Sequence, residues 1–389
     1  MTQSGFFVGC CLAFALLGGC TTDSRLDSSP VTVSLLGDGR VTYAKGFQLT
    51  TQKNYLLLSI FSRNSILNDT IQFALIRRGE AAPQGFREDQ IIPIPVRTMA
   101  VTASSHVGAI DRLEAWDALV GVGSGNQIFA RRVKEKFQQG TLEEIHNGLK
   151  LDEEKVVALQ PEVLIVTGGS ETDQTSIESL RKSGVKVIEN YEWMETTPLG
   201  RAEWIKLIAA LLDRLNFAEH QFAQVEMTYQ SLKQKVTGDL TQRPKVLLGN
   251  EYQGTWYMPG GKSFMAQLLE DAGAHYHWRT TDQTGAIPLN FEAVYPIALE
   301  ADVWLNITDP ARQTGKKSDL LQANYRYADF KSVQNNRLYS FTKRLDENGV
   351  NDYWESSLYR PDLLLADYIH ILHPDLLPDH MLYYCNKLE

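Results

Sequence analysis

The sequence predicts an α/β protein with two lobes, each built on a central and mostly parallel sheet, joined by a long helix and carrying a β-rich N-terminal extension on the first lobe. Three observations predict it. Strand-like and helix-like segments alternate over residues 97–191, and alternate again over residues 245–341. Between them, Trp204, Ile208, Leu211, Leu215, Ala218, Phe222, Val225, Tyr229, Leu232 and Val236 recur at spacings of four and three, which is one helical stripe.

The chain of 389 residues is long enough for two full cores. It is 43% apolar and 22% charged, with 38 basic against 47 acidic residues and a formal net charge of −9. That balance excludes a general nucleic-acid binder. The spacing predicts a signal segment over 1–19, a polar tether over 20–30, a first lobe over 31–197 with its β extension in 31–94, a connecting helix over 198–237 and a second lobe over 238–389.

The N-terminus differs from the rest. Phe6 to Leu17 is almost wholly apolar but too short to span a bilayer, and it leads into Leu17-Gly-Gly-Cys20. This resembles a bacterial lipoprotein signal peptide, in which small residues admit the peptidase and the Cys20 thiol accepts the lipid. Met1 to Gly5 lacks the usual Lys or Arg. Cys10 and Cys11 would leave with the signal, so Cys385 would stand alone and the mature fold would hold no internal disulfide.

In the β extension, Val31–Leu36, Tyr55–Phe61 and Ile71–Ile76 read as strands of hairpins decorating the first lobe. Strands follow near Thr98–Ala103, Leu119–Gly123, Val163–Thr167 and Val185–Asn190. Ser105 and His106 stand where the first of these hands over to a helix, a place where a hydroxyl and free N–H groups can face a ligand. Gly121-Val-Gly-Ser124-Gly125-Asn126 lacks the third glycine of a dinucleotide fingerprint and reads as a tight turn that offers Ser124 and Gly125.

Pro198 suits a first helical turn. The stripe that follows is either one helix of roughly 55–60 Å at 1.5 Å per residue or two helices with a bend at Asn216 and Phe217. Beyond it, Lys245–Asn250, Asp302–Ile307 and Arg337–Phe341 read as strands and Phe264–Ala272 and Phe291–Leu299 as helices. A last amphipathic stretch, Leu358 to Leu372, ends before Pro374, with His370 and His373 expected on the surface.

Gly260-Gly-Lys-Ser263 fails as a phosphate loop, because Trp256 occupies the place of its first glycine. Gly254 to Gly261 reads instead as an aromatic loop at the end of a strand, with Trp256 and Tyr257 offering flat apolar faces. Trp278 and Arg279 extend that reading, the guanidinium suiting a carboxylate or catecholate oxygen. His275 and His277 would share one face of a strand, but no further zinc ligand clusters with them. No HExxH, GxSxG or Cys–His nucleophile pair is present, so the chain reads as a non-enzyme without a cofactor.

A lipobox, two strand-helix lobes and a long joining helix together resemble the helical-backbone, or class III, substrate-binding lipoproteins of ABC transporters, which capture ferric siderophores, cobalamin and haem. Asp152-Glu-Glu154-Lys-Val-Val-Ala-Leu-Gln-Pro161-Glu matches that family's Asn-Leu-Glu segment, and Asn290-Phe-Glu292-Ala-Val is its counterpart in the second lobe. The resemblance implies that Glu154 and Glu292 dock into permease arginines. Asp152-Glu153 stands where the family has Asn-Leu, so Glu153 competes for the first role. Pro198-Leu-Gly-Arg-Ala-Glu-Trp204 and Trp256-Tyr-Met-Pro-Gly-Gly-Lys-Ser look like segments of siderophore-type lipoproteins from Bacteroidetes-like bacteria. The resemblance implies a monomer, anchored to the membrane through Cys20 on the periplasmic side, that hands a metal chelate to an ABC permease, a ferric siderophore ahead of cobalamin or haem. Free zinc or manganese binding, and an exported metal-dependent hydrolase or chelatase using His275 and His277, stay open on the residues alone, as does a sensor lipoprotein that delivers nothing.

Overall fold

The computed structural model describes residues 39–61, 70–148, 150–169, 174–240, 242–307 and 316–389, all within one compact unit. Cys20, the tether and the strand expected at Val31–Leu36 lie outside these residues. The extension is a four-stranded sheet of β1 (Phe47–Thr51), β2 (Leu56–Phe61), β3 (Thr70–Arg77) and β4 (Ile91–Ile94). The first three pair antiparallel and β4 runs parallel to β3. One face is apolar, as alternation along a strand dictates: Phe47, Leu49, Leu56, Leu58, Ile60, Phe73 and Leu75 are buried in the same core as the first lobe. The extension is therefore a structural layer of that lobe and more than a decoration.

The first-lobe sheet holds β5 (Met99–Val101), β6 (Leu119–Val122), β7 (Glu143–Glu144), β10 (Val163–Thr167) and β11 (Val187–Asn190); β8 (His146–Asn147) and β9 (Lys150–Leu151) form a small hairpin beside it. The order is β11-β10-β5-β6-β7, parallel throughout. Helices α1 (Ser104–Arg112), α2 (Arg131–Gln138), α3 (Glu153–Leu159) and α4 (Gln174–Lys182) cross over between strands. Both faces are covered, so β10 reads as an unbroken apolar run whose Val163 and Ile165 enter one core and Leu164 and Val166 the other.

The connecting stretch breaks earlier than its composition suggests. It forms α5 (Pro198–Ala202), α6 (Ile205–Leu211) and α7 (Leu215–Asp239), so the bend falls at Leu212–Arg214 and not at Asn216. Asp213 takes the left-handed conformation, φ +55°, that ends α6. With 25 residues α7 spans about 37 Å at 1.5 Å per residue. The apolar stripe is buried except at Leu232, which is half-buried, and it is shared: Trp204 to Ala218 lie in the first-lobe core, and Phe222 to Val236 lie in or against the second.

The second-lobe sheet comprises β12 (Lys245–Leu248), β15 (His275–Tyr276) and β17 (Val303–Leu305) in the parallel order β15-β12-β17, and Leu338 bridges to Trp304 beside it. A second, antiparallel sheet carries β13 (Glu251–Tyr252), β14 (Thr255–Pro259) and β16 (Ala286–Leu289). The stretch expected as an aromatic loop is thus mostly strand, with Trp256 and Met258 turned inward and Tyr257 outward. Helices α8 (Phe264–Asp271), α9 (Phe291–Ala298), α10 (Lys317–Ala323) and α11 (Lys331–Gln334) pack around these sheets, and β18 (Tyr339–Ser340) pairs with β19 (Asn386–Lys387).

After β18 the chain does something the alternating pattern did not announce. Through α12 (Tyr353–Ser356) it crosses back, Leu358 and Tyr359 enter the first-lobe core, and α13 (Pro361–Leu372) returns to the second. The expected division at 238–389 therefore does not describe the packing of Leu358 and Tyr359.

Candidate functional site

The site is built where this second crossing meets the first lobe. Helix α12 lies against α1 at Gly108, where a Cβ would stand 2.1 Å from the Glu355 carbonyl oxygen. The Glu355 carboxyl accepts the backbone N–H of Phe129 and, at 2.9 Å, that of Ala130. Lys134 pairs with Asp346 across the same seam. Burial pushes the Glu355 carboxyl from its ordinary 4.5 up to about 8, against the two N–H donors, and the Asp352 and Asp111 charges add to the rise. A proton held only in the folded state makes stability fall as pH rises from about 4.5 to about 8, and level off above. Urea midpoints measured between pH 5 and 9 should show that slope, and Glu355→Gln should flatten it; an equal slope in the variant would refute the assignment.

Beside this seam lies a cavity of about 550 Å³. Its walls include Asp111 and Arg112 of α1, Phe129, Ala130, Arg131 and Lys134 from the chain after β6 and the start of α2, Arg344, Asp346 and Glu347 leaving β18, and Tyr359, Arg360 and Tyr383. Both lobes thus contribute chain that follows the carboxyl end of a strand, where open α/β sheets take ligands. Arg344 pairs with Asp352 and lies 4.5 Å from the Tyr383 ring centroid and 5.6 Å from that of Phe129. Arg360 forks onto Asp362 at 2.8 Å through both Nε and Nη2. Arg112 differs: it is half-buried, makes no ion pair among the described residues, and donates to the neutral Gln221 Oε1 at 3.0 Å. Burial and the neighbouring Arg360 charge lower its pKa. Of the acids in the wall, Asp111 accepts the Trp116 indole N–H at 2.7 Å and Asp346 holds Lys134 and two backbone N–H groups, while Glu347 is exposed and makes no ion pair among the described residues.

A second polar cluster surrounds Glu192, which is buried and paired with Arg201. Ser105 Oγ donates to Glu192 Oε1 at 3.3 Å, and the Glu192 N–H donates to Asn190 Oδ1 at 2.9 Å. His106 Nδ1, Asn190 Nδ2 and the Tyr359 hydroxyl are buried there with no hydrogen-bond partner among the described residues. Burial pushes His106 down to about 4, so its ring is neutral at physiological pH. Unpaired buried polar atoms call for water or ligand atoms.

Of the residues picked from the sequence, only Ser105 and His106 fall near this region. Gly125 is buried with its N–H on Glu144 Oε2 at 2.9 Å, and a Cβ on it would strike the Phe137 ring, so it serves close packing; Ser124 beside it is half-buried. Trp256 is fully buried, stacked on Trp304 at 5.7 Å with its indole N–H on the Leu248 carbonyl at 2.7 Å. A ligand on the surface cannot stack on it. Trp278 is buried too, and Arg279 is spent on Glu270, Gln267 Oε1 at 2.9 Å and the Gly261 carbonyl. Tyr257 is exposed, on the opposite face of β14 from Trp256. None of these lines the cavity. His275 and His277 both face solvent, as alternation required, and no group of three or more His, Cys, Asp or Glu among the described residues is placed to hold a metal.

Glu154 and Glu292 occupy equivalent positions, each the second residue of a helix whose N-cap side chain, Asp152 or Asn290, accepts the N–H three residues on, at 3.1 and 2.9 Å. Both are exposed. Glu292 is held by Arg326 at 2.6 Å, whereas Glu154 makes no ion pair among the described residues. Sequence reading missed Arg112, Arg344 and Arg360. Lys343-Arg344 directly after the strand at Arg337–Phe341 was the available signal, since a strand's carboxyl end was already the favoured place for a ligand.

Two α/β lobes on a shared helix, with an arginine-lined cavity where both lobes meet, are the arrangement of a solute-binding protein. The chain belongs to the periplasmic binding protein family, whose profile matches residues 99–345. Two lipoproteins of Methanocaldococcus jannaschii, MJ0878 and MJ0872, both uncharacterized, are 22% and 25% identical to it, covering 94% and 97% of this chain and 91% and 96% of their own. Coverage that complete takes in most of the β extension. Among solved structures, a periplasmic haem-binding protein from Pseudomonas aeruginosa superposes with a TM-score of 0.57 at 18% identity, over 76% of this chain and 98% of its own. The triscatecholate siderophore-binding protein FeuA from Bacillus subtilis, complexed with ferri-bacillibactin, gives 0.55 at 16%, over 73% and 94%. These likenesses bear on the fold. Among the described residues no helix is long and apolar enough to cross a membrane.

Proposed function

We propose that this protein is the lipid-anchored substrate-binding component of an ABC importer and that it captures an anionic metal chelate, a ferric siderophore ahead of haem or cobalamin, without turning it over. The observation that carries the reading is Arg112, a half-buried guanidinium with no carboxylate partner, set beside Arg360 in the cavity between the lobes. An anionic oxygen from the ligand would pair with Arg112, and the Tyr383 and Phe129 rings beside Arg344 offer flat surface to the ligand's aromatic groups. The solved relatives that bind haem and a triscatecholate chelate support an anionic, aromatic cargo over a neutral one. Anchoring falls to Cys20, and docking on the permease to Glu154 and Glu292.

The test is a titration of the full-length protein with a ferric tricatecholate, haem, cobalamin and Zn²⁺, followed by tryptophan fluorescence and native mass spectrometry. One-to-one binding of an intact anionic chelate is expected, with Arg112→Ala weakening it by about 2 kcal/mol, or roughly 30-fold, the worth of a charged hydrogen bond. Binding of Zn²⁺ alone, or an Arg112→Ala variant that binds as tightly as the native chain, would overturn the reading. In cells, reversing the charge of Glu154 and Glu292 together should stop uptake while chelate binding in vitro stays unchanged.

A further inference from the structure

We propose that His370 and His380 form a surface site for a late first-row divalent cation, independent of the chelate cavity. His370 sits on α13 three residues after Asp367, so both project from one helical face. His380 comes from the turn that follows and lies over that face: its ring centroid is 5.8 Å from that of His370. Each ring is fixed by one hydrogen bond. His370 Nδ1 stands 2.8 Å from the Leu377 carbonyl, which can only accept, so Nδ1 carries the proton and Nε2 keeps its lone pair. His380 Nε2 donates to Asp367 Oδ1 at 2.7 Å, which leaves the lone pair on Nδ1.

Asp367 cannot rotate away, because it also accepts the N–H groups of Tyr383, Tyr384 and Cys385 at 2.7–2.8 Å. An imidazole whose second nitrogen donates to a carboxylate or a backbone carbonyl is the usual arrangement of a metal-ligating histidine, since it sets the tautomer and the ring orientation. His370 and His380 both have it, and neither lone-pair nitrogen has a partner among the described residues. With metal–nitrogen bonds of about 2.0–2.1 Å, two imidazoles on one ion have centroids roughly 5–6.5 Å apart. The observed separation falls within that range.

Two protein ligands are fewer than a structural zinc site uses, so water completes the shell and affinity is correspondingly lower. Imidazole nitrogen selects Zn²⁺, Ni²⁺ or Cu²⁺ over Mg²⁺ or Ca²⁺. A bound ion would clip the turn over residues 373–380 onto α13.

Calorimetric titration of the full-length protein, purified without a histidine tag and stripped with chelator, tests this with Zn²⁺ and Ni²⁺. One site per chain is expected, with His370→Gln and His380→Asn each weakening it by about tenfold or more. His373→Ala and His275→Ala should leave it unchanged. Circular dichroism on each variant separates loss of the site from loss of the fold. Ion binding should also raise the melting temperature of the native chain and not that of folded His370→Gln. Native-like affinity in either His370→Gln or His380→Asn, or no binding by the native chain, would overturn the proposal.

Discussion

Gly108→Val separates the two lobes along their second seam. A valine Cβ would fall 2.1 Å from the Glu355 carbonyl oxygen and 2.7 Å from its carbon, and both are backbone atoms that no rotamer change can move aside. Helix α12 must lift off α1, and with it go the Glu355 contacts to Phe129 and Ala130 that shape one wall of the cavity. Overpacking of this kind costs about 3 kcal/mol. We expect a lower thermal midpoint together with loss of chelate binding. Gly285→Ala is the control, because a Cβ there meets nothing within 4 Å and its φ is not in the left-handed region. A Gly108→Val variant that melts and binds like the native chain would mean that α12 can leave α1 at no cost.

Glu203→Ala should be comparably damaging for an electrostatic reason. Its carboxylate, 0% exposed, accepts the N–H groups of Thr42, Tyr43 and Ala44 at 2.7–3.0 Å and holds the Lys206 ammonium at 2.7 Å. Removing it leaves three N–H groups without their acceptor and a buried lysine that keeps only the Arg40 carbonyl at 2.6 Å and the Phe222 ring at 4.9 Å. Breaking a buried pair from one side costs about 3–5 kcal/mol. Urea unfolding should show the loss, and Glu203→Ala combined with Lys206→Met should recover much of it, since the stranded charge is then gone. If the double variant is no better than the single one, the N–H groups and not the charge carry the effect.

Much of the fold was legible, because both sheets and the shared helix advertise themselves by periodicity. The stripe from Trp204 to Val236 is buried at every position but the half-buried Leu232, and β10, β11 and β12 lie where apolar runs placed them. What periodicity could not show was long-range. Trp256 reads identically whether it faces a ligand or stacks on Trp304, and only the register of β14 against β16 turns it inward. Arg279 looked free because Glu270 and Gln267, which occupy it, come from a different element. Arg112 was invisible for the converse reason: nothing local distinguishes an arginine with a partner from one without. The second crossing was hidden as well, since Leu358 and Tyr359 carry no mark of which core they join.

That second crossing bears on how cargo is released. In a receptor that opens and shuts about a hinge, apparent affinity is reduced by the fraction of molecules not shut, and a partner can unload it merely by favouring the open form. Here the lobes are sewn together twice, along α6 and α7 and again through Leu358 and Tyr359. A second connection restrains relative movement of the lobes. On the importer reading proposed above, whatever accepts the cargo would have to lift α12 and residues 357–359 from α1 to empty the cavity, which is work done from outside.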